Sequence, residues 1–180
     1  MSGTKRPDTT DFVMEQAEIA EATKRAVHGP KPPKPSSGRG NVFFIGPRGS
    51  GKTALGHLVA ERLARPFTDD PDWQTLAGLV KQGGQVASIP AQLLEQDGVG
   101  NLLQRGGKVF YIMIDAATLA GRLGGADREA TIPLREALFA ELNELEPKCM
   151  QVLHFILPGA SPLEELVGDV VEKLAITGDA

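Results

Sequence analysis

A chain of 180 residues, 41% hydrophobic and 23% charged, is long enough for one domain with a sizeable core. Its net charge of −4 argues against a general nucleic-acid binder, which needs a basic excess. Cys149 is the only cysteine, so no intrachain disulfide can form, and no run approaches the ~18 apolar residues of a membrane span. The opening "MSGTKRPDTTDF" has no apolar signal core, so a cytoplasmic protein is expected.

Residues 1–40 carry 7 Lys/Arg and 5 Asp/Glu, net +2, which leaves −6 for residues 41–180. Within them "DFVMEQAEIAEATKRAV" (11–27) suits a helix, with Asp11 as cap, acids early, and Lys24 and Arg25 near its end. "HGPKPPKPSSGRG" follows, an extended linker with four prolines and three glycines in thirteen residues. Residues 1–40 therefore read as a flexible extension with a transient helix; a docking helix for a protein partner is the alternative.

From residue 41 strands and helices alternate. "NVFFI" (41–45) is a buried strand, and a helix runs from Gly51 to about Ala64. "RPFTD" (65–69) is a second strand, "WQTLAGLVKQ" (73–82) a helix and "QVASI" (85–89) a weaker strand. "PAQLLEQDGVGNLLQRG" (90–106) is helical with a break near Gly98 and Gly100. "KVFYIMI" (108–114) is the clearest strand and "AATLAGRL" (116–123) a short helix. "IPLREALFAELNELE" (132–146) puts Leu134, Leu138, Leu142 and Leu145 on one helical face. "QVLHFIL" (151–157) is a fifth strand, and "SPLEELVGDVVEKLA" (161–175) a helix capped by Ser161 with Pro162 first inside. Apolar strands alternating with helices predict an α/β fold, a parallel sheet covered on both faces.

Gly46-Pro-Arg-Gly-Ser-Gly-Lys52-Thr53 matches the phosphate-binding pattern G-x-x-x-x-G-K-[ST], with a strand before it and a helix after. Its glycines let backbone N–H groups face phosphate oxygens, and the helix adds the positive end of its dipole. Lys52 should reach the β- and γ-phosphates of ATP, and the Thr53 hydroxyl should ligate Mg²⁺. Gly46, Arg48, Gly49, Ser50, Gly51 and Ala54 complete the nucleotide-binding set. "TDDPD" follows the second strand, at the end of the sheet that faces the ligand crevice. Carboxylates there can hold Mg²⁺ or take a proton from an attacking hydroxyl, or else cap the helix at Trp73. His57 and His154 read as packing residues, and Cys149 as a small buried hydrophobe.

"FFIGPRGSGKTALGHLVAERLARPFTDDPD" resembles the opening of the shikimate kinase family of P-loop small-molecule kinases. "LLQRGGKVFYIMIDAATLAGRL", "RLGGADREA" and "LPGASPLEELVGDVVEKL" are similar to that family's later strand and helix, its lid, and its last strand-to-helix corner. The resemblance touches most of residues 41–175, though only the P-loop is highly specific. It implies a P-loop NTPase three-layer α/β/α sandwich, nucleoside-kinase-like, with a five-stranded parallel sheet in residues 41–180. It implies ATP and Mg²⁺ as cofactors, and transfer of the γ-phosphoryl group to shikimate or a related hydroxylated acid. Carried over by residue, Lys52 and Thr53 bind phosphate and Mg²⁺, Asp70 sits near Mg²⁺, and Asp72 orients or deprotonates the acceptor. Asp69 is the third candidate in that turn. Arg122 lies along the adenine, and Arg128 closes over the phosphates.

The acceptor half departs from the family. Only Trp73 to Gln85 separates the acidic turn from the next strand, with no arginine there and Lys81 the sole cation. "SIPAQ" (88–92) stands where the family has a triple-glycine turn, and Glu146 and Lys148 where it has a late arginine. A catalytically degenerate ATP-binding protein, acting as a nucleotide-gated binding or regulatory module, is the alternative function.

Overall fold

The computed structural model describes residues 40–124 and 128–179. The predicted N-terminal helix and linker, residues 1–39, lie outside the described residues. Five strands form one sheet in the order β2-β3-β1-β4-β5, with all four pairings parallel. The strands are β1 (Asn41–Ile45), β2 (Phe67–Asp69), β3 (Val86–Ser88), β4 (Gly107–Met113) and β5 (Phe155–Pro158). The α-helices are α1 (Lys52–Leu63), α2 (Trp73–Gln82), α3 (Val99–Gly106), α4 (Ala116–Gly124), α5 (Arg128–Val152) and α6 (Leu163–Thr177). A 3-10 helix, Ala91–Glu95, precedes α3, which is where the glycine break was expected.

Every residue of β1 is buried, which explains its unbroken apolar run. Phe43 and Ile45 pack on one face with Leu76, Leu103 and Cys149, while Val42 and Phe44 pack on the other with Leu55, Val59, Leu166 and Val170. The sheet is thus the middle of three layers, and Leu138, Leu142 and Leu145 of α5 are buried along the predicted face. His154 accepts a hydrogen bond on Nδ1 from the Val109 N–H at 3.1 Å, and burial lowers its pKa. His57 packs against the Phe67 ring, with 4.3 Å between centroids.

Several boundaries differ from expectation, among them the start of α5 at Arg128 and of β2 at Phe67. α5 continues through Pro147 to Val152, so β5 starts at Phe155 and not near Gln151. The extra turns bury Cys149 and Val152 in the core, which offsets the helical hydrogen bond that proline removes. Pro162, and not Ser161, is the N-cap of α6: the Ser161 N–H turns back to the Pro158 carbonyl at 2.9 Å. Among the described residues no helix is long and apolar enough to cross a membrane.

Cys149 is fully buried, and desolvation pushes its thiol up to about 12. A thiol-reactive dye should therefore leave the native protein untouched at pH 8 and titrate the single thiol only after denaturant is added. Rapid native labelling would contradict this burial.

Candidate functional site

The P-loop is shaped by its glycines at two points. Gly46 has φ +148, and a Cβ there would sit 2.9 Å from the Ile112 carbonyl oxygen, so only glycine lets the loop lie on β4. Gly51 has φ +97 and caps α1 without a side-chain hydrogen bond. The first-turn N–H groups of α1 therefore lack a side-chain acceptor, the donor set a phosphate takes. The Ser50 N–H closes the loop on the Pro47 carbonyl at 3.2 Å. Lys52 Nζ donates to the carbonyls of Gly46 at 2.9 Å and Pro47 at 3.0 Å, which lays its ammonium across the cradle. Burial lowers the Lys52 pKa, while the carboxylates of Asp70 and Asp69 oppose that shift. Arg122 reaches the loop from α4, donating to the carbonyls of Ser50 at 3.4 Å and Gly159 at 2.7 Å.

The carboxylate beside the cradle is set by the packing of β2 on α1. A Cβ on Gly56 would fall 2.3 Å from the Phe67 ring, so glycine alone admits that ring against the helix. Two residues beyond Phe67, Asp69 meets α1 again: the Thr53 hydroxyl donates to both Asp69 carboxylate oxygens at 3.1 Å. Gly56→Ala should consequently lower Tm, an overpacking cost of about 1–3 kcal/mol exceeding alanine's helix-propensity gain of about 1 kcal/mol. A rise in Tm on thermal melting would contradict the close Phe67 contact.

Ser88 pairs with Asp69 across the sheet. It shares a strand face with Val86, which packs against Leu55 and Val59 of α1. Its hydroxyl is buried and has no hydrogen-bond partner. A carboxylate, a threonine hydroxyl and an orphaned serine hydroxyl at one place fit a hydrated Mg²⁺. No group of three or more His, Cys, Asp or Glu among the described residues could hold a metal ion, so the nucleotide would supply the remaining ligands.

The other two aspartates diverge. Asp70 is left-handed at φ 44, anchored by its N–H to the Ser88 carbonyl at 3.0 Å, and lines the cavity over the P-loop. Strain of this kind in a non-glycine residue tends to occur where a side chain must be aimed. Asp72 is exposed and caps α2, accepting from the Thr75 N–H at 2.7 Å. Hydrogen bonds from the Thr75 side chain and backbone hold its carboxyl below its ordinary range. Of the three aspartates only Asp70 is among the described residues lining the cavity, and Asp69 reaches the site through Thr53.

That cavity has a volume of about 540 Å³ and is lined by Arg48, Gly49, Gly51, Lys52, Thr53, Ala54 and Asp70 on one side, and by Pro90, Ala91, Gln92 and Glu141 on the other. The Arg128 backbone begins α5; its side chain lies outside the described residues. Sequence reasoning missed Ser88, Gln92 and Glu141. The one available signal for Glu141 was its place beside Leu142, at the edge of the buried stripe of α5. A cavity of about 440 Å³ bounded by residues including Tyr111, Met113 and Phe139 contains no P-loop residue and lies apart from this chemistry.

Sheet order, P-loop and cavity together define a P-loop kinase fold. No family model matches the chain. Shikimate kinase 2 of Escherichia coli O81 (strain ED1a) is 25% identical over 167 residues, covering 76% of this chain and 96% of that one. The crystal structure of shikimate kinase from Bacteroides thetaiotaomicron superposes with a TM-score of 0.66 at 20% identity, over 75% of this chain and 98% of the other. A gluconokinase from Sinorhizobium meliloti 1021 gives 0.55 at 21% identity, over 77% and 93%. The chain is a distant homologue of the shikimate kinases among the P-loop small-molecule kinases.

Proposed function

We propose that this protein transfers the γ-phosphoryl group of ATP to a hydroxyl of a small molecule held in the cavity over the P-loop. The observation that carries the reading is the set Lys52, Thr53 and Asp70 around one cavity, with Asp69 hydrogen-bonded to Thr53. Lys52 would place its ammonium on the β- and γ-phosphate oxygens, and Arg48 would flank them from the loop. Thr53, Asp69 and the Ser88 hydroxyl would hold Mg²⁺ with its waters. Bound there, Mg²⁺ would offset the negative charge that spreads over the phosphate oxygens in transfer. Arg122 would lie by the adenine and Arg128 would close over the phosphates. Asp70, which lines the cavity, would orient the acceptor hydroxyl and take its proton, while Asp72 would serve its helix.

Shikimate is the acceptor the homology suggests, yet Arg48 is the only arginine among the described residues lining the cavity. Among the described residues no arginine outside the P-loop lines the cavity to give an acceptor carboxylate a bidentate grip. That observation favours a second reading, an ATP-gated binding module, with residues 1–40 as the segment offered to a protein partner. ADP release measured with MgATP, with and without shikimate, tests shikimate as the acceptor. Shikimate-stimulated release that vanishes in Lys52→Ala supports the kinase with shikimate as acceptor. ATP binding with no stimulation by shikimate removes it as acceptor.

A further inference from the structure

We infer that the acceptor is a hydroxylated amine whose ammonium group faces Glu141 of α5, and not a hydroxylated carboxylate. The inference rests on the kinase reading above and names the charge its acceptor must carry.

Three observations lead there. First, Glu141 lines the same cavity as Lys52, Thr53 and Asp70, the cavity in which an acceptor would have to meet a γ-phosphate. It lies within electrostatic reach of the Lys52 ammonium.

Second, Ala91, Gln92 and Glu141 also wall an adjoining hollow of about 230 Å³. Its only cation among the described residues, Lys148, is already paired, its Nζ 2.8 Å from Glu95 Oε1. Neither Glu141 nor Glu144, both lining the hollow, forms an ion pair among the described residues. Among the described residues the hollow therefore holds more carboxylates than cations, three glutamates against Lys148.

Third, Gln92 is the neutral polar side chain in that wall, with both donor and acceptor atoms for hydroxyl groups. A carboxylated ligand in the hollow would meet like charge, and among the described residues no arginine lines that hollow to offset it. An ammonium ligand would gain a charge-assisted hydrogen bond from the same carboxylate. The cavity's own phosphate cradle, and not the acidic residues alone, makes it a ligand site.

The chemistry balances without a further reactant. The acceptor oxygen bonds to the γ-phosphorus as the bond to the β,γ-bridging oxygen breaks. The hydroxyl proton passes to Asp70, and ADP leaves. The ammonium group positions the acceptor and undergoes no change.

The test uses the full chain at pH 7 with MgATP and three probes of similar size: D-glucosamine, D-glucose and shikimate. D-glucosamine should show the highest kcat/KM, about tenfold or more above shikimate. Glu141→Gln should bring the two within about threefold, and Glu141→Lys should reverse the order, through acceptor KM. The ATP Kd, measured in parallel, distinguishes loss of nucleotide from loss of acceptor. Shikimate used as well as or better than D-glucosamine by the unaltered protein would overturn the charge assignment and leave the kinase reading standing. ATP binding with no turnover above buffer for any probe would overturn both.

Discussion

Lys52→Ala is expected to lower acceptor-dependent ATP turnover by about 10²–10³-fold, the scale seen when one preorganised donor to a developing negative charge is removed. The two loop carbonyls that hold Lys52 Nζ fix its ammonium over the cradle, so no other side chain can take its place at that position. Far-ultraviolet circular dichroism should remain unchanged, because β1 and α1 are held by the buried clusters on the two sheet faces and not by this side chain. A pH profile adds an independent readout. Burial shifts the Lys52 pKa below 10.5, so the neutral amine appears earlier on the alkaline side than in an ordinary lysine. ATP affinity should hold near neutrality and begin to fall before pH 10.5. The same shift makes the unfolded chain the better proton binder across that window. Lys52 thus opposes folding at neutral pH, and that opposition is relieved as pH rises through its folded pKa. Turnover within a few-fold of the unaltered protein in Lys52→Ala would contradict the role.

Asp69→Asn and Asp72→Asn should separate sharply. Asp69 accepts from Thr53 and adjoins the unpartnered Ser88 hydroxyl. Asparagine there should raise the Mg²⁺ concentration for half-maximal turnover by about 10–100-fold. Asp72 is committed to the Thr75 N–H, and asparagine caps a helix about as well as aspartate. Turnover in Asp72→Asn should therefore stay within about threefold. Mg²⁺ titrations of ADP release measure both. A large loss in Asp72→Asn with Asp69→Asn nearly unaffected would return the reacting role to Asp72.

The nucleotide half was legible because its information is contiguous. A buried strand, eight loop residues and the start of a helix state the phosphate site within one short run. The division of labour among Asp69, Asp70 and Asp72 was not legible, because it is fixed across the fold. Pairing of Asp69 with Ser88, and the seat of the Phe67 ring on Gly56, decide which carboxylate reaches Thr53. A register shift of one residue would turn a different aspartate toward the helix. Glu141 was hidden for a similar reason: it lies 89 residues from Lys52 in sequence, and only the return of α5 over the 3-10 helix brings it to the cavity. The helix expected over 132–146 continues past Pro147, where burial of Cys149 and Val152 carries it to Val152.

The most direct measurement is transfer of label from γ-phosphate-labelled ATP, with Mg²⁺, to an organic acceptor, set against label released as inorganic phosphate. A small-molecule kinase moves the label to the acceptor, in a reaction lost with Lys52→Ala. Label that stays on ATP, or leaves only as inorganic phosphate at the same rate with every acceptor as with none, would contradict phosphoryl transfer as the function of this site.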